Sequence, residues 1–322
     1  MKIAYLYRGR PDLKAMIPAD VDSVVLDAGP GGVWEDEVLA QMKDVDAILV
    51  STEPINEQLL AASPNLKIVQ RMGVGYDNVD LEAAAKRGIP CCNLAGVNKE
   101  AVAEHGMLMI LSVARQLATH HNNVMEGKWK RLLRSDVPVF ELPGKTMGIV
   151  GLGNTGYELA KRTFAHGMRI VYNDIRDIDP ERVKSVEAVF MEKDDLFRES
   201  DVVSINTDLN DQSRGMVDAR RIGLMKPSAI LVCCARGGII DEPALRDALN
   251  EDRLAGAGID VFGTEPIDPN CPLLSAKNVI LTPHVAGLSR ESMSRAYEWA
   301  HENARRAVND QQPKWVVNGV GG

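Results

Sequence analysis

The chain has 322 residues, of which 45% are hydrophobic and 25% charged, an ordinary globular composition long enough for two separate cores. A formal net charge of −8 disfavours a general nucleic-acid partner, and no apolar run approaches the length of about 20 residues that a membrane-spanning helix needs. Five cysteines, with two adjacent pairs and no Cys-x-x-Cys, make a disulfide framework and a metal site poor readings. The N-terminus enters a strand directly, so no signal peptide is expected, and the chain reads as a reduced, cytoplasmic protein.

In chain order, strands are expected at Ile3–Tyr7, Ser23–Leu26, Ala47–Val50, Lys67–Gln70 and Pro90–Asn93, with helical patterns between them at Glu35–Met42, Glu57–Ala62 and Leu81–Lys86. This alternation predicts a parallel, doubly wound sheet that closes near Cys92. From Glu100 to Glu126 apolar residues recur at helical spacing, which predicts one long helix linking two domains.

A second alternating series begins with Met147-Gly-Ile-Val150, followed at once by Gly151-Leu-Gly153-Asn-Thr-Gly156. A helical stretch through Ala160 and Phe164 leads to a second apolar run, Ile170-Val171-Tyr172, and then Asp174, 23 residues beyond Gly151. Strand, glycine turn, helix, strand and acid in this register predict a dinucleotide site. The glycines permit a tight turn near a pyrophosphate, the helix start offers unpaired N–H groups, and the acid falls where a ribose-binding carboxylate belongs. A carboxylate repels a 2′-phosphate, so Asp174 favours NAD over NADP. Further strands are expected at Val202–Ile205, Ala229–Cys233, Gly256–Asp260 and Val279–Leu281, with helices at Ala219–Leu224, Glu242–Asn250 and Glu291–Val308; the tail from Gln311 reads as an extended arm.

Ligands of open parallel sheets bind beyond the carboxyl ends of the strands. Three polar residues follow such ends: Arg236, Glu265 and His284. An arginine can grip a carboxylate through two parallel hydrogen bonds, and a histidine oriented by an acid can exchange a hydroxyl proton. That set suits hydride transfer between NAD and a 2-hydroxy acid. Of the other histidines, His120, His121, His166 and His301 read as surface residues and His105 as a helix-face residue. Cys233 and Cys234 read as packing residues rather than nucleophiles.

These residues sit in a series of specific motifs: Arg71-Met-Gly-Val-Gly75-Tyr-Asp77-Asn-Val-Asp80, Ala103-Glu104, Gly127-Lys-Trp129, Gly144-Lys-Thr-Met-Gly148-Ile-Val-Gly151, Ala235-Arg236-Gly-Gly238, Gly258-Ile-Asp260-Val-Phe, Glu265-Pro266 and Pro283-His284. In them the chain resembles the NAD-dependent D-isomer-specific 2-hydroxyacid dehydrogenases, a family that includes phosphoglycerate, hydroxypyruvate and glyoxylate enzymes. The resemblance implies two doubly wound parallel-sheet α/β domains. A Rossmann NAD domain, residues 99–286, is inserted into a flavodoxin-like substrate domain, residues 1–98 and 287–322. It implies that Arg236, Glu265 and His284 are catalytic, that Gly151, Gly153, Asn154, Thr155 and Gly156 hold the pyrophosphate, and that Asp174 holds the adenosine ribose. Thr207, Cys234, Ala235, Asp260 and Gly287 would complete the cofactor site, with Asp260 at the nicotinamide carboxamide. Val74 and Gly75, with Arg236, would receive the substrate carboxylate. A homodimer through the NAD domain is also implied.

Two departures bear on the cofactor. The family often has Arg-Ile inside the glycine turn where this chain has Asn154-Thr155, which removes a phosphate contact. Its usual His-x-Pro-Leu is here Asn206-Thr207-Asp208-Leu209, which predicts a looser loop. The loop Ser51-Thr52-Glu53 lacks the basic residue of phosphoglycerate enzymes, so the expected substrate is a small unphosphorylated 2-keto or 2-hydroxy acid; Arg8 and Arg10 are candidates for a second anionic group. Phosphoglycerate dehydrogenase and an NADH-sensing, corepressor-like binding protein remain the alternatives. Formate dehydrogenases carry glutamine where Glu265 stands.

Overall fold

The computed structural model describes residues 1–7, 17–29, 32–129 and 139–321. The described chain divides into two compact units, Met1–Asn98 with Ser289–Gly322, and Lys99–Leu288.

In the first unit, β1 (Lys2–Leu6), β2 (Asp22–Leu26), β3 (Ala47–Val50), β4 (Ile68–Arg71) and β5 (Cys91–Cys92) form one parallel sheet in the order β2-β1-β3-β4-β5. β1 from Ile3 to Leu6 and β3 from Ala47 to Val50 are fully buried, because both faces of the sheet are covered there. The connections include α1 (Asp36–Ala40), α2 (Glu57–Ala61) and α3 (Leu81–Lys86). Asn56 caps α2 by accepting from the Leu59 amide at 3.1 Å, and Asp80 caps α3 by accepting from the Ala83 amide at 2.9 Å. The strand order reverses between β1 and β3, as in flavodoxin-like sheets.

The second unit opens with α4 (Lys99–Ala114) and α5 (Leu117–Met125). The single helix expected over Glu100–Glu126 is therefore two. Gln116 takes a left-handed conformation, φ 50°, and the Phe140 amide donates to the Ala114 carbonyl at 3.3 Å, closing the end of α4. The physical reason is a change of pattern: α4 buries Met107, Met109, Ile110 and Val113, whereas α5 buries none of its side chains.

Seven parallel strands follow: β6 (Thr146–Val150), β7 (Arg169–Asn173), β8 (Val189–Phe190), β9 (Val202–Ile205), β10 (Ile230–Cys233), β11 (Gly256–Ile259) and β12 (Val279–Leu281). Their order, β12-β11-β10-β9-β6-β7-β8, is the doubly wound dinucleotide order with one strand added. Between them lie α6 (Asn154–Ala165), α7 (Pro180–Ser185), α8 (Lys193–Glu199), α9 (Ala219–Ile222) and α10 (Glu242–Asn250). Sequence reading missed α7, α8 and the two-residue β8, which are short and lack a full apolar stripe.

α11 (Arg290–Val308) returns to the first unit behind a reciprocal cap, in which Ser289 and Ser292 each accept the other's amide at 3.0 Å. Its Ala296, Tyr297, Ala300, Ala304 and Ala307 pack on Ile3, Tyr5, Leu49 and Ile68. The tail is not a free arm: the Asn93 amide donates to Trp315 O at 3.2 Å, the Val317 amide to Cys91 O at 2.8 Å, and Trp315 stacks on Trp299. Among the described residues no helix is long and apolar enough to cross a membrane.

Candidate active site

The glycine turn joins β6 to α6, and its composition follows from how closely the chain approaches itself. A Cβ on Gly156 would fall 2.0 Å from the Gly151 carbonyl oxygen, and one on Gly151, φ 92°, would fall 2.7 Å from Asn206 O. Only glycine lets α6 start this near the turn. Gly153 precedes α6, and Asn154 and Thr155 form its first turn, so the helix start presents backbone N–H groups and a partial positive charge. That donor set fits a dinucleotide pyrophosphate.

Asp174 follows β7, and its carboxylate bonds to the glycine turn. One carboxylate oxygen accepts from the Leu152 amide at 2.8 Å and the other from the Arg176 amide at 3.0 Å, so it braces the turn itself. The Arg176 guanidinium lies 3.4 Å from the same carboxylate and reaches over Gly153. Arg182 on α7 reaches the Asn154 side chain at 3.5 Å. Both cations therefore stand beside the turn position where the resemblance expects an arginine.

Thr207 follows β9. The loop expected to loosen without a proline is tied instead by Ser213, whose hydroxyl donates to Asp208 O at 2.6 Å and accepts from the Asn210 amide at 2.8 Å. Cys234, Ala235 and Arg236 follow β10. Burial pushes the Cys233 thiol up to about 11 and the Cys234 thiol well above its ordinary value, so neither supplies a thiolate near neutral pH.

Arg236, Glu265 and His284 leave the ends of three neighbouring strands, β10, β11 and β12. His284 Nδ1 lies 2.6 Å from Glu265 Oε2, and Glu265 Oε1 accepts from the Phe262 amide at 2.9 Å. Burial opposes ionisation of Glu265. The bonds from His284 and Phe262, with the charges of His284 and Arg236, outweigh it and hold the carboxyl below its ordinary value. Glu265 is therefore the acceptor, His284 Nδ1 carries hydrogen, and Nε2 is the ring nitrogen left for a ligand.

His284 is one of the few non-glycine residues in the left-handed region, at φ 54°. Such a conformation costs about 1–2 kcal/mol and persists only where its surroundings over-determine it. Asp260 does so. Its backbone oxygen accepts from the His284 amide at 2.7 Å, and its carboxylate accepts from the Val285 and Ala286 amides at 3.0 and 2.9 Å. The Asp260 side chain is fully buried. Gly287 follows directly in this turn.

Two residues outside the expected set belong here. Thr282 Oγ1 lies 2.5 Å from Asp260 Oδ1, and His105 Nε2 lies 3.0 Å from Thr282 Oγ1. No sequence signal marked them: His105 reads as a helix face until α4 is placed on the sheet.

In the first unit, Val74 and Gly75 lie in the loop after β4, where Asn93 Nδ2 donates to Val74 O at 2.8 Å and the Leu94 amide to Gly73 O at 2.9 Å. Glu53, expected in an open substrate loop, is 3% exposed. Arg8 and Arg10 lie outside the described residues.

Comparison with known proteins identifies the family. Residues 107–286 match the family model described as D-isomer specific 2-hydroxyacid dehydrogenase, NAD binding domain. Glyoxylate reductase from Korarchaeum cryptofilum is 39% identical over 296 residues, covering 89% of each chain. D-3-phosphoglycerate dehydrogenase from Mycobacterium tuberculosis is 36% identical over 292 residues, but this chain spans only 54% of its length. A crystal structure of a glyoxylate reductase from Paecilomyes thermophila superimposes with a TM-score of 0.84 at 28% identity, covering 98% of both chains. With a parallel seven-stranded sheet, a dinucleotide turn and a histidine–glutamate pair at its strand ends, the chain belongs to the D-isomer-specific 2-hydroxyacid dehydrogenases, NAD-dependent oxidoreductases.

Proposed function

We propose that this enzyme transfers a hydride between NAD(H) and a small unphosphorylated 2-keto or 2-hydroxy acid of the glyoxylate and hydroxypyruvate kind. The observation that carries the reading is the 2.6 Å contact between His284 and Glu265 at the end of the nucleotide-binding sheet. The cofactor would be held by Gly151, Gly153, Gly156 and the Asn154 and Thr155 amides at the pyrophosphate, and by Asp174 at the ribose. Thr207, Cys234, Ala235, Asp260 and Gly287 would form the rest of the site.

Bound NADH supplies the hydride for the C2 carbonyl. Arg236 grips the substrate carboxylate and orients that carbonyl. Protonated His284 gives the Nε2 proton to the carbonyl oxygen while its Nδ1–H stays on Glu265, which stabilises the imidazolium before transfer. In the oxidative direction the same nitrogen takes the hydroxyl proton. The unphosphorylated substrate is supported by Ser51-Thr52-Glu53, which offers no cation. NADH oxidation followed at 340 nm over a panel of 2-keto acids tests the reading. Turnover of glyoxylate or hydroxypyruvate supports it; NADH binding without turnover of any of them would favour a cofactor-sensing protein instead.

Asp174 sets the cofactor preference in this reading. Asp174→Ala is expected to lower the ratio of kcat/KM for NADH over NADPH by about tenfold or more, a difference of about 1.4 kcal/mol. It also frees Arg176 to meet a 2′-phosphate. An unchanged ratio would remove Asp174 from the ribose.

The protein is further read as a cytoplasmic homodimer associating through the NAD unit. Support comes from exposed apolar side chains on α4 and α5 and just beyond: Leu108, Leu117, Val124, Met125 and Trp129, the last 83% exposed. Sedimentation should give twice the chain mass, and Leu117→Glu with Trp129→Glu should give a monomer.

A further inference from the structure

The turn that carries His284 is held by Asp260, and Asp260 in turn has a neighbour from a different part of the fold. Gly256 and Gly258 in β11 let α4 lie unusually close to the sheet. A Cβ on Gly258 would fall 2.7 Å from Met109 Cβ, and one on Gly256 would fall 2.5 Å from the Val113 side chain. One turn earlier on α4, this close approach carries the His105 ring to the strand ends. There His105 Nε2 lies 3.0 Å from Thr282 Oγ1 and 3.7 Å from Asp260 Oδ1.

The donors can be assigned. Thr282 Oγ1 lies 2.5 Å from Asp260 Oδ1, and a carboxylate only accepts, so the hydroxyl proton points at Asp260. The hydroxyl has no second proton, so His105 Nε2 must carry hydrogen and donate to Thr282. The result is a directed chain from His105 through Thr282 to Asp260, whose carboxylate also accepts from the amides of Val285 and Ala286.

We propose that His105 is a positioning residue: through Thr282 it orients Asp260, and Asp260 clamps the left-handed turn that presents His284 to Glu265. This rests on the reading of His284 as the acid–base group. The ring does two things at this place. Its N–H fixes the Thr282 hydroxyl with the proton toward Asp260, and its bulk keeps water off Oδ1, the oxygen that Thr282 shares with the Val285 amide. Without it, water competes for Oδ1 and the strained turn gains alternatives. Asp260 then acts on the reaction from behind the histidine, a role beyond the cofactor contact that the resemblance implies.

The test compares four variants of the full chain: His105→Ala, His105→Gln, Thr282→Val and the double variant His105→Ala with Thr282→Val. In keto-acid reduction His105→Ala should lower kcat about tenfold or more, because small misplacements of a catalytic group are costly. The Kd for NADH, measured by fluorescence, should rise by less than kcat falls, because Asp260 is the one proposed cofactor residue that the hydrogen-bonded chain touches. Glutamine presents an N–H near the position of Nε2, so His105→Gln should recover most of the loss. Thr282→Val should repeat the loss, and the double variant should be no worse than the poorer single one, as for two members of one chain.

A second readout does not depend on turnover: the downfield proton resonance of His284 Nδ1–H on Glu265, assigned by its disappearance in His284→Asn. It should broaden or vanish in His105→Ala and Thr282→Val. Wild-type kcat and an unchanged resonance in either folded single variant would overturn the proposal, as would fully additive losses or no rescue by glutamine. If the wild-type protein reduces no 2-keto acid, the functional reading fails on its own, and the resonance alone decides the positioning role. If His105→Ala does not fold, Thr282→Val, which changes no volume to speak of, decides it.

Discussion

Replacing His284 with alanine is expected to lower kcat for 2-keto acid reduction by about 10²–10⁴, the usual contribution of a positioned acid–base group. The Kd for NADH should stay within about threefold, because the residues proposed for the pyrophosphate and ribose lie at the ends of β6 and β7, strands distant from β12 in the sheet. The expected split follows from the bonding. His284 Nδ1 is committed to Glu265, so the ring can offer the reaction only Nε2. Alanine also relieves nothing, since it inherits the left-handed backbone that the Asp260 turn imposes. Steady-state kinetics together with fluorescence titration of NADH provide the check. A comparable loss of binding and turnover, with circular dichroism unchanged, would assign His284 to cofactor retention.

The second large effect is expected at a residue with no functional group. A Cβ on Gly237 would lie 1.7 Å from Phe262 O and 2.1 Å from its carbonyl carbon, both backbone atoms that cannot rotate away. Gly237 follows Arg236, and the Phe262 amide is one of the two groups holding Glu265. Gly237→Ala therefore forces the loops after β10 and β11 apart and displaces two of the three polar residues at once. Overpacking of this severity costs about 3 kcal/mol, which for a domain of this size lowers Tm by about 6–12 °C. Displacement of the arginine and the glutamate should also lower kcat/KM about 10²-fold or more at temperatures where the variant is folded. Differential scanning fluorimetry and initial rates measure the two. A variant with wild-type Tm and rate would mean that the loops can separate freely, and the geometry of the pair would then be supported from elsewhere.

The parts of the molecule legible in the sequence were those written locally. The strand–turn–helix from Met147 to Phe164 needs only neighbouring residues to form, and its glycines mark themselves by where a side chain cannot go. The same holds for Arg236, Glu265 and His284, each just past an apolar run that fixes its place at a strand end. Contacts between remote segments were not legible. His105 is 177 residues from Thr282, and nothing around it in sequence shows that α4 will lie on the glycines of β11. The break at Gln116 was hidden for a related reason: apolar spacing continues weakly through Leu117, and only the return of the chain at Phe140 closes the first helix. The tail read only as an extended arm because two tryptophans and a short bridge to β5 hold it, not a periodic pattern.

The discontinuity of the first unit also bears on how the chain is made. Tyr5, Leu49 and Ile68 are covered on one face by Ala296, Ala300 and Ala304 of α11, which are synthesised after the whole of the second unit. During translation that face of the early sheet waits for a helix still inside the ribosome, while the later-emerging but continuous nucleotide unit already holds every strand it needs. Vectorial folding here would finish the insert before its host, leaving the nascent first unit as the stage at which a chaperone has apolar surface to grasp.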